Sequence, residues 1–362
     1  MTDWTSSMQQ TYEYYTVNPN TWGNERLLTT VKTASMSKDS QTETLGSASV
    51  DVTNTLGEVY VRGYLKTTQN DITEMHPLGT YLIQTPSSRF DGKISSYSVD
   101  AYTPLIELKE KQPPIGYFIP KGSNALAAAY QIVRDYARAP VIKPIITNDK
   151  KYLLAYDFVA DTDDTWLSFV SDLLSDVKYS LDLDEMGRIF FAPIQTITAM
   201  QPIWTYTDDN SSILYPELDL DRDLYGIPNV IEVVYSKTDK VGDLKPAIVR
   251  NEDPNSPVSI PNRGREISYR ILDPELLSPT QRQLDEYAQQ ILEELSSVEY
   301  TVSYTHGYCP VRVGDCVLLN YARAGLTNVK AKVIKQSISC TPGCPVSETA
   351  IFTAKLWEGK VS

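Results

Sequence analysis

Four cysteines near the end of the chain are the side chains whose type and spacing come nearest to a metal site. They form two pairs, Cys309 with Cys316 and Cys340 with Cys344. Four thiolates can bind tetrahedral Zn²⁺, although neither spacing is the two-residue separation of zinc ribbons. Cys340 and Cys344 could instead form a disulfide across their own turn, and all four could be packed free thiols. We expect no bound metal and no catalytic cysteine; these four residues are the candidate ligands if a metal binds.

The sequence offers little else for catalysis. The chain contains two histidines, His76 and His306, and no G-x-S-x-G, H-E-x-x-H, G-x-x-x-x-G-K-[ST] or G-x-G-x-x-G segment. These motifs hold the nucleophiles, metals and phosphates of common enzyme classes. The 46 acidic residues supply many carboxylate pairs. No segment, however, isolates two of them in an apolar setting, as a glycosidase would need. We therefore predict a protein that is not an enzyme and has neither catalytic nor cofactor-binding residues.

The composition is that of an acidic globular protein. The 362 residues include 33 Lys and Arg against 46 Asp and Glu, which gives a formal charge of −13, and 41% are hydrophobic. A surface this acidic repels phosphate backbones and disfavours sequence-independent binding of nucleic acid. No apolar run approaches the ~20 residues of a membrane-spanning helix. The first ten residues, MTDWTSSMQQ, do not form a secretory signal. We expect no membrane partner.

Tyrosine is used heavily, with 24 Tyr against 7 Phe. Many tyrosines lie in segments of alternating polarity, which are typical of half-buried β-strands. A tyrosine ring packs on one side and keeps a hydroxyl for a partner, so this excess fits either ordinary β packing or subunit interfaces. The interface candidates are Tyr12, Tyr14, Tyr15, Tyr60 and Tyr64.

These side chains must be positioned by a fold that the patterns predict to be α+β and mainly β. Residues 1–20 show no sustained period and are predicted to form an arm. Residues 21–117 contain short strand-like segments between turns, which favours an antiparallel barrel or sandwich. Residues 118–200 contain two amphipathic helices, 124–137 and 165–177, followed by a hairpin, and form a predicted α+β domain.

The second half of the sequence predicts β structure again. Residues 201–297 include a strand at 229–236, a proline-rich loop at 238–265 and a helix at 279–297. Residues 298–362 are predicted to be strands. We expect the loop and the N-terminal arm to be interaction segments.

This order of elements resembles the central hub proteins of phage tail baseplates. The family includes the hub of contractile-tailed phages, the matching part of the type VI secretion spike protein and the tail-associated hubs of long-tailed phages. The resemblance lies in short segments spread over most of the chain: DVTN at 51–54, YSVDAYTPL at 97–105, helix 124–137, DTWL at 164–167, the 181–191 hairpin, PNVIEV at 228–233 and VRVGDCVL at 311–318.

The resemblance implies two β-barrel tube-type domains that bracket smaller α+β domains. The candidates are residues 21–117 for the first tube and residues 201–237 with 298–362 for the second. A homotrimer would then present six similar barrels to the sixfold tail tube or distal tail proteins, and its other face to a threefold central spike protein. Tape measure protein and DNA would pass through the lumen, the DNA without specific binding. The implied location is the virion tail baseplate, with assembly in the host cytoplasm.

Two other functions are compatible with the sequence. A β-rich receptor- or glycan-binding tail protein would need exposed aromatic side chains, for which Trp4, Trp22 and Trp204 are candidates. A hydrolase would act on cell-wall material and would lose its activity when one Asp or Glu is removed. A structural hub requires neither feature, because it depends on interfaces between subunits.

Overall fold

The computed structural model of the chain describes residues 2–54, 57–90, 95–147, 149–209, 212–222, 224–236, 244–274 and 280–355. The chain divides into two compact units. Unit 1 comprises residues 1–218 and 303–350, and unit 2 comprises residues 219–302 and 351–362. In the described part of the chain, no helix is both long enough and apolar enough to cross a membrane.

The first part of unit 1 is built from strands and one short helix. The strands are β1 (Gln9–Val17), β2 (Asn24–Leu27), β3 (Val31–Asp39), β4 (Gly46–Val52), β5 (Tyr60–Gln69), β6 (Ile72–Phe90) and β7 (Ser95–Tyr102), and the helix is α1 (Ile106–Lys109).

The middle of the chain carries two longer helices and several short strands. They are β8 (Phe118–Ile119), α2 (Ala125–Tyr136), a 3₁₀ turn at Lys150–Tyr152, β9 (Phe158–Val159), α3 (Trp166–Asp176), β10 (Tyr179–Leu183), β11 (Ile189–Pro193), β12 (Pro202–Thr207) and β13 (Leu214–Arg222). Helix α3 begins at a capping box, in which Thr165 and Ser168 exchange side-chain to backbone hydrogen bonds. Asn124 caps α2 by accepting the Ala127 N–H at 3.1 Å.

Unit 2 contains a three-stranded sheet covered by a helix. Its elements are β14 (Val230–Val234), β15 (Ala247–Arg250), α4 (Ile260–Arg263), β16 (Ser268–Leu272) and α5 (Gln281–Leu295). Strand β14 lies between β15 and β16. Helix α5 packs Leu284, Ala288 and Leu292 against this sheet, since these positions recur on one side of the helix.

The chain ends in four long strands and a 3₁₀ turn at Ala322–Ala324. The strands are β17 (Ser297–Gly307), β18 (Cys316–Tyr321), β19 (Leu326–Ser339) and β20 (Pro345–Lys355). In the main sheet the strands follow the order β13, β17, β20, β19, β3, β4, β7, β6, β5, β1, β2, with β18 beside β19 and β12 beside β18. Strands from both ends of the chain thus meet where β3 pairs antiparallel with β19. Over the described residues this order is open from β2 to β13, and no closed barrel is formed.

Two hydrophobic cores among the described residues of unit 1 position the hairpin and the main sheet. One lies between α1, α2, α3 and the β10–β11 hairpin, and Trp166 and Phe169 are at its centre. The other lies within the main sheet, where Met36 and Leu65 pack with Ile338 of β19. The mainly β character predicted from the sequence is confirmed.

The structure agrees with several predicted elements and differs at others. The helices predicted at 124–137 and 165–177 and the hairpin after them are confirmed. Residues Gln9–Val17 of the predicted N-terminal arm form β1, which pairs with β5 along its whole length; the arm as an interaction segment remains a prediction. The predicted loop 238–265 contains β15 and α4; its residues 238–243 lie outside the described residues. So do residue 279 of the predicted helix and residues 356–362. The division into five segments remains a prediction.

Candidate interaction surfaces

A buried arginine connects the β10–β11 hairpin to the main sheet. Arg62 of β5 is 1% exposed. Its Nε donates to Thr80 Oγ1 at 2.8 Å, one terminal nitrogen donates to Asn24 Oδ1 at 3.0 Å, and the other donates to the Met186 carbonyl at 2.8 Å. A buried guanidinium without partners would be costly, so these acceptors are required by its position. Arg62 therefore fixes the tip of the hairpin against β5 and β6.

The hairpin tip, residues 184–187, requires a glycine at position 187. Gly187 has φ +73°, and a Cβ there would lie 2.8 Å from Cβ of Thr80. The Trp22 Nε1–H donates to the Met186 carbonyl at 2.7 Å, and the Thr80 hydroxyl donates to the Glu185 carbonyl at 3.2 Å. Backbone carbonyls of the tip accept these hydrogen bonds, so a change of side chain at 185 or 186 would not remove the acceptors.

Glu185 joins three segments that are far apart in the sequence. Its carboxylate oxygens lie 2.8 Å from Nζ of Lys38 and 2.7 Å from a terminal nitrogen of Arg312. Burial opposes ionisation of this carboxyl group, but the two cations hold the pKa of Glu185 below its usual value. The pair of contacts ties the hairpin both to β3 and to the segment before β18.

A cavity of about 380 Å³ lies beside the hairpin. Its wall includes Asp182 of β10 and Asp315, and burial raises the pKa of both carboxyl groups. Each accepts one backbone hydrogen bond, Asp182 from Leu183 at 2.7 Å and Asp315 from Arg312 at 2.8 Å. The described residues that line the cavity include neither a histidine nor a cysteine.

A second buried network lies near the end of the chain and is centred on a histidine. His306 and Glu348 are both inaccessible to solvent, and Nε2 of His306 lies 3.2 Å from a carboxylate oxygen of Glu348. Nδ1 of His306 lies 2.6 Å from the Gly307 carbonyl. A carbonyl only accepts, so Nδ1 carries a proton; when His306 is charged, its second proton on Nε2 faces the Glu348 carboxylate. Although burial lowers the pKa of His306, its hydrogen bonds to Cys309 and Glu348 raise it to about 10.

Three further groups complete the hydrogen bonding of this network. The Tyr304 hydroxyl donates to one oxygen of Glu348. Nε2 of Gln336 donates to the other oxygen at 2.7 Å, and the Tyr206 hydroxyl lies 3.0 Å from Nε2 of His306. Because every member is buried, the network holds strands together and cannot reach a solvent-borne substrate. His306 lies near the end of β17.

The five predicted interface tyrosines divide into two groups. Tyr14, Tyr60 and Tyr64 are buried within the chain. Tyr60 donates to Glu107, and Tyr64 accepts a hydrogen bond from Asn24 at 3.1 Å. Their rings serve the interior of unit 1.

Tyr12 and Tyr15 of β1 are half-buried and keep part of their rings at the surface. The Tyr12 hydroxyl donates to the Thr341 carbonyl at 2.6 Å, and the Tyr15 hydroxyl donates to Glu13 at 2.7 Å. A role in subunit interfaces remains a prediction for the five tyrosines, and these two are the ones with surface to offer.

The four cysteines are buried free thiols in unit 1. Burial raises the pKa of Cys340 to about 11 and that of Cys344 to about 12. Cys309 belongs to the His306 network, where its sulfur lies 3.3 Å from the Tyr206 hydroxyl. Within the described residues no group of three or more His, Cys, Asp or Glu side chains is arranged to hold a metal ion. Thiols with raised pKa values are poor nucleophiles at neutral pH.

The candidate tryptophans of the glycan-binding alternative have different environments. Trp22 is buried and packs on Tyr60, with the ring centroids 4.9 Å apart. Trp4 is half-buried between His76 and Tyr308, at centroid distances of 4.7 and 5.1 Å. Trp204 is also half-buried. A buried Trp22 is unavailable to a sugar, and the alternative then rests on Trp4 and Trp204.

One exposed surface has no counterpart among the predicted sites. In β8 and β9, Phe118 and Val159 are cross-strand neighbours, and both are more than half exposed. Nearby, Ile145 is 86% exposed and Tyr156 is 81% exposed. The Leu153 backbone forms a β-bridge with Asn124. The Asn124 side-chain amide donates to the Thr147 carbonyl at 2.9 Å, so the segments around 124, 147 and 153 lie together. The only sequence signal for these exposed residues was a set of apolar positions between Pro140 and Tyr156 that follow neither a helical nor a strand period.

Comparison with known proteins identifies the fold. No protein-family model and no curated protein sequence matches the chain. The solved tail protein from Neisseria meningitidis MC58 matches with a TM-score of 0.60 at 11% identity, over 94% of this chain and 96% of that chain. The 43 kDa tail protein of prophage MuSo2 from Shewanella oneidensis matches with a TM-score of 0.59 at 10% identity, over 94% and 98%.

A chain of the half-lidded Francisella PdpA–VgrG complex matches with a TM-score of 0.57 at 9% identity; the match covers 98% of this chain and 60% of that chain. The protein therefore has the fold of phage tail proteins, and the resemblance seen in the sequence is confirmed at the level of the fold.

Proposed function

We propose that this protein is a structural hub of a phage tail baseplate, a trimeric adaptor between a sixfold tail tube and a threefold central spike. The observation that carries the proposal is the match to two tail proteins over nearly the whole length of both partners. A match of this extent includes all the domains and their order, which a shared β module alone would not produce.

The proposed adaptor contains two tube-type modules. The N-terminal strands β1–β7 form the first module. The C-terminal strands β17–β20, together with β12 and β13, form the second. The two groups meet where β3 pairs with β19, so the two proposed modules would lie side by side in one sheet. Three chains would then present six similar modules around a lumen, and one repeated interface would close the ring.

The proposed partners follow from this geometry. They are the tail tube or distal tail proteins on one face and the spike protein on the other, with tape measure protein and DNA passing through the lumen. The charge of −13 supports passage of DNA without retention, since an acidic wall repels phosphate. We place the protein in the virion tail after assembly in the host cytoplasm, and we assign it no enzymatic activity.

Negative-stain electron microscopy of the purified full-length chain, with its mass measured by light scattering, tests the proposal. We expect class averages with threefold or pseudo-sixfold symmetry and an open centre, and a mass of three chains. Compact particles with the mass of one chain at every concentration tested would contradict it.

A further inference from the structure

A second cavity of about 380 Å³ lies between the segment that precedes β1 and the turn that joins β19 to β20. We call it the N-terminal cavity and define it by six of its lining residues: Trp4, Met8, Gln10, Tyr308, Pro342 and Gly343. Its volume falls within the range of roughly 300–1,000 Å³ that small-molecule sites occupy. The proposed hub does not require such a cavity.

The wall of the N-terminal cavity is aromatic and polar but uncharged. None of the described residues that line it is an acid, a base or a histidine, although 22% of the chain is charged. A charged ligand would lose part of its hydration in the cavity and would find no counter-ion in the wall. The wall therefore favours a neutral ligand.

Trp4 is the largest side chain of this wall. It is half-buried, and its two ring neighbours, His76 and Tyr308, each meet it at an interplanar angle of 65°, so neither stacks face to face on the indole. The π face of an aromatic ring is negative and attracts the weakly positive C–H groups on the apolar side of a sugar ring. Met8 and Pro342 extend the apolar part of the wall.

Gln10 adds a polar group with free hydrogen-bonding capacity. The residue is half-buried in β1, and its side-chain amide has no hydrogen-bond partner in the described structure. An amide donates and accepts at the same time, which is what neighbouring sugar hydroxyls require. Ser6 also lines the cavity; its hydroxyl donates to Asp3 at 2.7 Å and keeps its lone pairs for a further donor.

Contacts outside the cavity hold its walls in place. The Thr2 hydroxyl donates to Glu74 of β6 at 2.6 Å and ties the segment before β1 to that strand. The turn between β19 and β20 is held in a similar way, because the Tyr12 hydroxyl donates to the Thr341 carbonyl at 2.6 Å. Walls that are already ordered reduce the entropic cost of binding a small ligand.

We propose that the N-terminal cavity binds a pyranose ring of an uncharged saccharide. Trp4 would stack on the apolar side of the ring, and the Gln10 amide would hydrogen-bond its hydroxyls. A lipid chain would leave Gln10 without a partner, and the phosphates of a nucleotide would find no cation in the wall. Such a site would add a ligand-binding function to the hub, and it does not depend on how many chains assemble.

Saturation-transfer difference NMR of the full-length chain tests the proposal. The probes are the methyl glycosides of glucose, galactose, mannose and N-acetylglucosamine. We expect transfer to at least one of them, strongest at the ring protons of one side, with a Kd on the order of 1 mM. Oligosaccharides of the same sugar identify the source of the ligand: tighter binding than the methyl glycoside indicates a polysaccharide, and equal binding indicates a free sugar.

Three variants assign the binding to this cavity. W4A should weaken it at least tenfold, and Q10L, which keeps the size of the side chain and removes the amide, should weaken it about threefold or more. Trp204 is also half-buried, but it lies in β12 and does not line the cavity, so W204F should bind within about twofold of the wild type. Far-ultraviolet circular dichroism verifies that each variant is folded, and Q10L keeps the test decisive if W4A is not.

Four outcomes would overturn the assignment. They are an absence of transfer to every glycoside at about 50 mM, unchanged binding by folded W4A and Q10L, binding of glucuronate or glucosamine as tight as that of the neutral glycosides, and binding of a proline-rich peptide with no saccharide bound. The symmetry and mass of the particles are measured separately, so a failure of the saccharide site leaves the hub proposal standing, and monomeric particles that bind a glycoside would reject only the hub.

Discussion

The buried His306–Glu348 pair makes the stability of unit 1 depend on pH in a direction that can be measured. The pKa of His306 is raised from 6.5 to about 10 in the folded protein. A group with a raised folded pKa contributes its full stabilisation below the unfolded pKa and loses it as the pH rises through the folded pKa. The rise corresponds to about 5 kcal/mol, present below pH 6.5 and lost by pH 10.

The useful window lies between pH 6.5 and 8.0. Above that range the buried Cys340 and Cys344, whose pKa values are raised to about 11 and 12, also favour lower pH, because unfolded thiols ionise near pH 8.5 to 9. Within the window we expect the wild-type free energy of unfolding to fall by about 2 kcal/mol through His306. The variant H306Q should lack this part of the fall.

Urea unfolding followed by tryptophan fluorescence measures the effect, since Trp4, Trp22, Trp166 and Trp204 all lie in unit 1. H306Q leaves the Glu348 carboxylate buried without its partner, so H306Q with E348Q provides a second variant that removes both charges.

His76 supplies the control for this measurement. Burial lowers the pKa of His76, so its contribution rises with pH and is complete above pH 6.5. The variant H76Q should therefore keep the wild-type slope between pH 6.5 and 8.0. If the wild type, H306Q and the double variant show parallel slopes in that window, His306 is not charged in the folded protein and the reasoning fails.

Three further substitutions test the anchors of unit 1, each by urea unfolding. R62M removes the donor to Thr80 Oγ1 and one of the two donors to the Met186 carbonyl, which keeps the Trp22 Nε1–H, and should cost about 2–3 kcal/mol, whereas R26M at the exposed β2 should cost less than about 0.5. G187A should cost about 2 kcal/mol or more, because φ is +73° and the new Cβ meets Thr80; G122A, with φ +81° in open space, should cost about 1. T165A removes the α3 cap and should cost about 1 kcal/mol, and an unchanged stability would show that the cap contributes nothing.

Local patterns in the sequence predicted those elements that depend on neighbouring residues. Helix α3 was recognisable because Trp166, Phe169, Leu173 and their neighbours recur at helical spacing. The β10–β11 hairpin was recognisable from its turn. Strand β1 was assigned to an arm, because its partner β5 lies some fifty residues away and the sequence does not show which strand it will join.

The polar networks could not be predicted for the same reason. Arg62 reads as one polar residue in an alternating strand, and nothing near it in sequence marks the Met186 carbonyl as its acceptor. His306 and Glu348 are separated by 42 positions and meet only when β17 and β20 enter one sheet. Which polar groups become buried depends on pairing between strands that are distant in the sequence, and local propensity does not predict that pairing.

The proposed adaptor would have to hold one geometry, and the polar anchors of unit 1 fix positions in a way that apolar packing does not. Apolar contacts are non-directional, so a hairpin held by them alone could settle in several positions of similar energy. The acceptors around Arg62 and the two cations on Glu185 each require one position of the hairpin tip. That hairpin follows directly after α3, so the same polar contacts fix the end of α3 relative to the main sheet.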